Sequence, residues 1–198
     1  VEVNGDDQIL DHVLDRVVSP TPGGFVHLDV TGLTPARIYR YAFLEQEAGR
    51  FTGRSRIGRF RTPPADDDNC GVVTFGGTSC SHRNGAPLAA LSQAADDDLD
   101  FFIHCGDHIY ADDREPAVTL AEYRGKYADY WRIQGMNDVH ASTGLYTTWD
   151  DHEVRNNWIP ETLRDAQVAA ATRAFFEHRA FRRNAADPER IWRKFRWG

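Results

Sequence analysis

Apolar positions change their spacing near residue 64. Before it, short runs alternate with a period of two, as half-buried strands require. Phe25 to Val30 reads Phe-Val-His-Leu-Asp-Val, and Ile38 to Leu44 reads Ile-Tyr-Arg-Tyr-Ala-Phe-Leu. Thr31-Gly32-Leu33-Thr34-Pro35 turns between them, and Gly58 to Thr62 is a third short strand. Strands punctuated by regular turns predict a β-sandwich, and an immunoglobulin-like one takes about 100 residues and seven strands. Residues 1–63 therefore read as the back half of such a domain.

Pro63-Pro64 followed by Asp66-Asp67-Asp68-Asn69 is a linker of prolines and a solvated acidic run, placed at 64–70. Residues 71–198 then read as alternating strands and helices. Gly71–Gly76 is a short buried strand, a small-residue helix covers 86–96 and ends at Asp96-Asp97-Asp98, and Leu99–Cys105 is a second strand. Strand, helix, strand predicts a parallel βαβ unit with a right-handed crossover, hence an α/β fold. Thr119–Ile133 reads as a helix whose Leu120, Tyr123, Tyr127, Tyr130 and Trp131 belong to the core. Gly144–Trp149 reads as a third strand and Arg164–Arg183 as a long Ala-rich helix. Apolar strand faces around Phe101, Phe102 and Trp197 are expected to stand uncovered.

Composition narrows the function classes. The 198 residues carry a net charge of −7, 41% hydrophobic and 12% aromatic residues, which fits a globular core and not disorder. The acidic balance argues against nucleic-acid binding and suits a protein that gathers carboxylates around cations. No run approaches the roughly 20 apolar residues of a transmembrane helix. No cationic leader with an apolar run opens the chain, so no signal peptide is expected at this terminus. The 3 cysteines, Cys70, Cys80 and Cys105, are too few for a disulfide framework or a zinc finger. Cys105, inside an apolar run, reads as a small buried hydrophobe. Burial explains Cys80 less readily, because it sits in a Gly/Ser/Thr loop.

In an open α/β sheet, ligands bind beyond the carboxyl ends of the strands. Three segments follow the three predicted strands: Gly77-Thr78-Ser79-Cys80-Ser81-His82, then Gly106-Asp107-His108-Ile109-Tyr110-Ala111-Asp112-Asp113, then Asp150-Asp151-His152-Glu153-Val154-Arg155-Asn156-Asn157-Trp158. Parallel strands bring them to one edge, with thiol, phenol, carboxylate, imidazole and carboxamide donors together. Each alone has a plainer reading. Asp107 suits a helix cap, the acids at 150–153 a polar loop or a helix start, Tyr110 packing, and His82 and His108 solvent-facing loops.

The segments Gly106–Asp112, Trp149–Val154 and Asn156-Asn157 resemble the PhoD-type alkaline phosphatases of the calcineurin-like metallophosphoesterase superfamily. Ser79-Cys80 stands where that family has an iron-binding cysteine. Gly32-Leu33-Thr34-Pro35, Tyr39-Arg40-Tyr41 and Phe60-Arg61-Thr62-Pro63 resemble its N-terminal sandwich domain. The resemblance implies a partial sandwich over 1–63, then the first half of an αββα metallophosphoesterase domain. It implies hydrolysis of phosphate monoesters or diesters at an iron(III) and calcium site, other divalent metals being possible, by in-line attack of metal-activated water. Cys80, Asp107 and Tyr110 resemble the iron ligands, with Asp107 bridging, and Asp151 resembles a further metal ligand. His152 would face the substrate, with Asn156 beside it. Thiolate and phenolate suit a trivalent iron, and carboxylate and carboxamide oxygens suit calcium. The resemblance also implies export from the cytoplasm.

Two departures accompany the resemblance. His82 lies two residues after Cys80, imitating the Asp-x-His of ordinary metallophosphoesterases. The C-terminal ligand motifs of the superfamily are absent before Phe195-Arg196-Trp197-Gly198, so the chain reads as a partial one of weak activity by itself. The competing readings are a non-catalytic fragment or interaction module that holds a cation weakly, separable by metal content, and a phospholipase D-like hydrolase, separable by a substrate panel.

Overall fold

Beyond the proline linker, the switch from period two to helix-strand alternation produces a parallel sheet. In the computed structural model, which describes residues 2–4, 10–12, 14–68 and 71–198, β7 (Phe75–Thr78), β8 (Phe101–His104) and β9 (Gly144–Thr147) pair in chain order. Phe75 lies beside Phe101, and Phe101 beside Gly144. Helix α1 (Ala89–Asp96) connects β7 to β8, the predicted βαβ unit. Helices α2 (Leu120–Trp131) and α3 (Gln134–Ser142) connect β8 to β9, and α4 (Asp165–His178) follows. The last two linker positions, Asn69 and Cys70, lie outside the described residues.

Strand β7 begins later than Gly71 and runs through the glycines instead of ending at them. A Cβ on Gly76 would lie 2.7 Å from the Phe102 ring, so the glycine makes room for β8's main core residue. Phe102 points toward α1 and α3, where Leu91, Leu99, Phe102, Met136 and Val139 form one core. Phe102 is therefore buried, contrary to expectation. Phe101, on the other face, is half-covered by Phe75, Tyr146 and Trp197, with ring centroids 5.3, 5.2 and 4.9 Å away.

A second core lies between α2 and α4. Thr119 Oγ1 accepts from Glu122 N while Glu122 Oε2 accepts from Thr119 N, a capping box that starts α2. Tyr123, Tyr127 and Tyr130 follow at helical spacing and are buried against Ala171, Ala174, Phe175 and Phe176 of α4. Arg124 donates twice to Glu177, at 2.7 Å each, and pins the two helices together.

Helix ends depart from expectation for local reasons. A single tight turn at 83–85 and a left-handed Leu88 (φ 59°) delay α1 from 86 to Ala89. Helix α4 stops at His178, short of Arg183, because Arg179 turns inward. Its Nη1 donates to His140 Nε2 at 2.9 Å, and its guanidinium lies 4.4 Å over the Trp131 ring. Helix α3 is absent from the sequence reading, since only Met136 and Val139 mark its apolar face.

Before residue 64 the pairing is antiparallel. β1 (Glu2–Asn4), β2 (Leu10–His12), β3 (Ile38–Tyr41) and β6 (Gly58–Arg61) make a sheet in the order β2-β1-β3-β6, and β4 (Leu44–Glu47) with β5 (Arg50–Arg54) a separate hairpin. Tyr39 stands opposite Phe60, the rings stacked 5.6 Å apart. The predicted strand 38–44 breaks after Tyr41, and the chain enters the hairpin, whose Ala48-Gly49 turn has both φ positive (47° and 78°).

Phe25–Val30 is not a strand. Its alternation is used against helices: the Phe25 ring meets His178 edge-on at 4.7 Å under Arg124, and the His27 ring N–H donates to the Glu177 carbonyl at 3.0 Å. The acids after α1 are engaged as well. Arg59 donates to Asp98 at 2.5 Å, to Ser142 O at 3.2 Å and to Leu99 O at 3.5 Å, and Arg61 pairs with Asp100 at 3.1 Å. These arginines on β6 dock the antiparallel sheet onto the α/β portion. Among the described residues, no helix is long and apolar enough to cross a membrane.

Candidate metal centre

The β7–β8 pairing continues past the strands and sets the site. Cys105 N donates to Thr78 O at 2.8 Å, Cys80 N to Gly106 O at 3.1 Å, and Ser81 N to Asp107 O at 3.0 Å. Cys80 thus lies across from Gly106-Asp107. Gly106 has φ +109°, and a Cβ there would sit 2.6 Å from both Cβ and N of Asp150, so only glycine lets the β8 and β9 loops approach this closely. Cys80 and Asp107 hold left-handed backbone, φ 53° and 55°. Such residues cost on the order of 1–3 kcal/mol each and gather at functional sites.

Three donors converge. One ligand atom from each of Asp107, Asp151 and His152 lies within 4.8 Å of the other two. Asp107 is buried, its Oδ2 accepting from the Tyr110 hydroxyl at 3.2 Å and its Oδ1 from His152 N at 3.3 Å. Burial first, then the charges of Asp107 and Cys80, push the Tyr110 phenol above its ordinary range. Asp151 has one oxygen engaged, accepting from Asn157 N. Tyr110 stands between two imidazoles, the His82 ring edge-on at 4.4 Å and the His152 ring at 4.1 Å. His82 Nδ1 accepts from Asn84 N at 3.1 Å, which caps the turn at 83–85.

The fold therefore assembles Cys80, Asp107, Tyr110, Asp151 and His152 at one strand edge. Asn156 enters differently: its backbone N–H donates to Asp112 Oδ2 at 2.9 Å, and the residue is exposed. Two residues absent from the sequence-derived site are central. Asp112 Oδ1 lies 2.7 Å from His152 Nδ1. Burial by itself would lower His152, but the Asp112 hydrogen bond and the charges of Asp112, Asp107 and Asp151 outweigh it and raise its pKa. For Asp112, burial pushes upward, yet the bonds from His152 and Asn156 N leave the carboxyl below its ordinary value. Glu153 is fully buried behind the loops. The signal for both was their place inside the strand-end motifs, five residues after Asp107 and two after Asp151.

Two sequence readings are corrected. His108 is buried, not solvent-facing: Nδ1 sits 2.9 Å from Glu153 Oε1, and its ring stacks on His104 at 3.6 Å. Cys105 is exposed, because it follows the inward-facing His104 and turns to the opposite side as β8 ends. Asp150 is raised by partial burial and then by Asp107 and Asp151, so the acids of the two loops repel one another. Carboxylates, a phenol, a thiol and an imidazole crowded at one strained edge fit a cation, which would relieve that repulsion.

Residues 74–198 match the family profile of the PhoD-like phosphatases. The chain is 29% identical over 212 aligned residues to alkaline phosphatase D of Bacillus subtilis (strain 168), covering 92% of this chain and 35% of that protein. It superposes on the solved structure of PhoD with a TM-score of 0.75 and 28% identity, over 87% of this chain and 37% of that one. Purple acid phosphatase PPD1 from yellow lupin (Lupinus luteus) seeds shares the fold, at a TM-score of 0.57 and 16% identity over 85% of this chain and 30% of that one. The chain spans about a third of the length of these relatives. With a profile match running through all three strand-end segments, the chain belongs to the PhoD-like phosphatase family.

Proposed function

We propose that this chain contributes to metal-dependent hydrolysis of phosphate esters, monoesters or diesters. The observation that carries the reading is the convergence of Asp107, Asp151 and His152 within 4.8 Å at the carboxyl edge of a parallel sheet. Cys80, Asp107, Tyr110 and Asp151 would hold the metals, thiolate and phenolate suiting iron(III) and carboxylates suiting calcium. Bound there, the cations supply Lewis acidity toward the phosphoryl oxygen and acidify a water for in-line attack. Membership in a phosphatase family supports the same reaction class.

His152 acts on the substrate side. With its Nδ1–H donated to Asp112, the imidazole keeps Nε2 for the substrate, and the raised pKa favours a proton there for the leaving oxygen. Asn156 N–H holds the other oxygen of Asp112, so that residue supports the dyad through its backbone. Residues 1–63 are read as a sandwich-type module, 64–70 as its linker and 71–198 as the first half of the metallophosphoesterase domain. The antiparallel pairing of β3 with β6 and the arginine docking support that division. A calcium-bearing phosphatase of this kind works outside the cytoplasm.

Hydrolysis of p-nitrophenyl phosphate and its bis-ester by the full chain tests the reading. Turnover should disappear on chelation, return with iron and calcium, and vanish in Asp107→Asn. Activity that survives both chelation and Asp107→Asn would end the metallophosphatase assignment.

A further inference from the structure

We infer that Glu153 is the positioning residue that sets the spacing between the two metal-ligand loops. The inference rests on the reading of Asp107 and Asp151 as metal ligands. Glu153 is 0% exposed, and its carboxylate collects N–H groups from both loops. Oε1 accepts from His108 N at 2.6 Å and faces His108 Nδ1 at 2.9 Å. Oε2 accepts from Asp107 N at 3.2 Å and from Asp150 N at 3.0 Å. One oxygen therefore bridges the loop after β8 to the loop after β9.

The chemistry of the site demands an acceptor without donors of its own. Three of the four contacts are backbone N–H groups and the fourth is the His108 ring nitrogen, and a carboxylate offers about four lone-pair positions. A glutamine would turn an NH₂ against one of them, and an aspartate is one methylene too short to reach both loops. The brace also fixes a ligand with strained backbone, since it holds Asp107 through its own amide at φ 55°. A second tie runs in parallel: His108 Nε2 lies 2.5 Å from Thr147 Oγ1, at the end of β9. Gly106, pressed against Asp150, closes the same gap from the other side. The three contacts together determine how far Asp107 lies from Asp151.

The test compares wild type, Glu153→Asp and Glu153→Gln in the full chain. Co²⁺ alone is titrated and followed by its visible absorption, under conditions where urea unfolding shows each protein folded. Amide exchange is measured at Asp107, His108 and Asp150. Loss of the brace should weaken Co²⁺ binding by about 10–100-fold and change the shape of the absorption band. In wild type the three amides should exchange as slowly as those of β8, and in Glu153→Asp they should speed up together. A folded Glu153→Asp with wild-type affinity and band would overturn the inference while leaving the metal reading intact. A wild type that binds no Co²⁺ would overturn the metal reading and this inference with it. Should neither variant fold, the wild-type amides still decide: exchange at exposed-loop rates would overturn the inference.

Discussion

At the scale of single residues, the candidate site pairs its histidine with a neighbour that fixes its proton. His152 has Asp112, 2.7 Å from its Nδ1 and itself held by Asn156 N–H. Because that bond and the surrounding carboxylates raise His152, a proton stays on the ring to higher pH than it would on a free imidazole. If His152 protonates the leaving group, turnover falls as pH rises through its pKa. Asp112→Asn should then move that limb toward lower pH and cut turnover by on the order of a hundredfold. A pH–rate profile of the variant superimposable on wild type would remove His152 from the reaction. The Gly-Asp-His-Ile-Tyr-Ala-Asp stretch contained Asp112, but nothing local indicated that Asp112, and not Asp113, would meet an imidazole 40 residues away. His108 shows the same limit: a histidine in a polar loop looks exposed until the fold places Glu153 over it.

At the scale of elements, glycines decide how closely strands and loops approach. Gly106→Ala would force a Cβ to within 2.6 Å of Asp150 at a φ that L-residues rarely adopt. We expect a loss of about 1–3 kcal/mol in urea unfolding, together with weakened metal binding, because the β8 and β9 loops must part. Phe102→Ala should cost about 3–5 kcal/mol by opening a cavity between the sheet and α1 and α3, with the site loops left in place. An equal effect of both substitutions on metal binding would show that the Gly106 approach has no special role. Strands β8 and β9 and helix α2 were legible because their patterns are local and strong. The Phe25–Val30 segment was not, since a period of two shows which residues face inward but not whether a strand or a helix lies opposite.

At the scale of the whole molecule, a buried polar layer behind the sheet couples stability to pH. Burial, then Arg179 and His140, hold His104 down to about 3. Burial, then Arg179, does the same to His140, again to about 3, and His108 is lowered as well. His140 is fixed in its neutral form, with Nδ1–H donating to Met136 O at 2.5 Å and Nε2 accepting from Arg179. Unfolded histidines take up protons below about pH 6.5 whereas these cannot, so their contribution is present above about 6.5 and is lost as pH falls toward about 3. The slope approaches about 1.4 kcal/mol per pH unit for each histidine. Urea midpoints measured from about pH 7.5 down to about 5 should fall accordingly, and His140→Gln should flatten the dependence. Midpoints that do not move would mean the layer admits protons in the native state. Across the docking surface, Arg59→Ala should cost about 1–2 kcal/mol, because it removes a donor from two part-buried backbone carbonyls and the partner of Asp98. Arg56→Ala should be nearly silent, since that side chain is 54% exposed where it meets Asp138.

The sequence by itself determined the parallel βαβ unit, the aromatic face of α2 and the delivery of three chemistry-bearing loops to one edge. Each follows from spacing along a single element or from the handedness of a βαβ crossover, which are local properties of the chain. Only the tertiary structure decided that Asp112 and not Asp113 meets His152, that His108 and Glu153 lie buried beneath the loops, and that Asp98 and Asp100 face arginines on β6. These depend on distances between loops that are far apart in the chain. They are set by how closely Gly106 lets one loop approach the other and by which side chains fill the space left over.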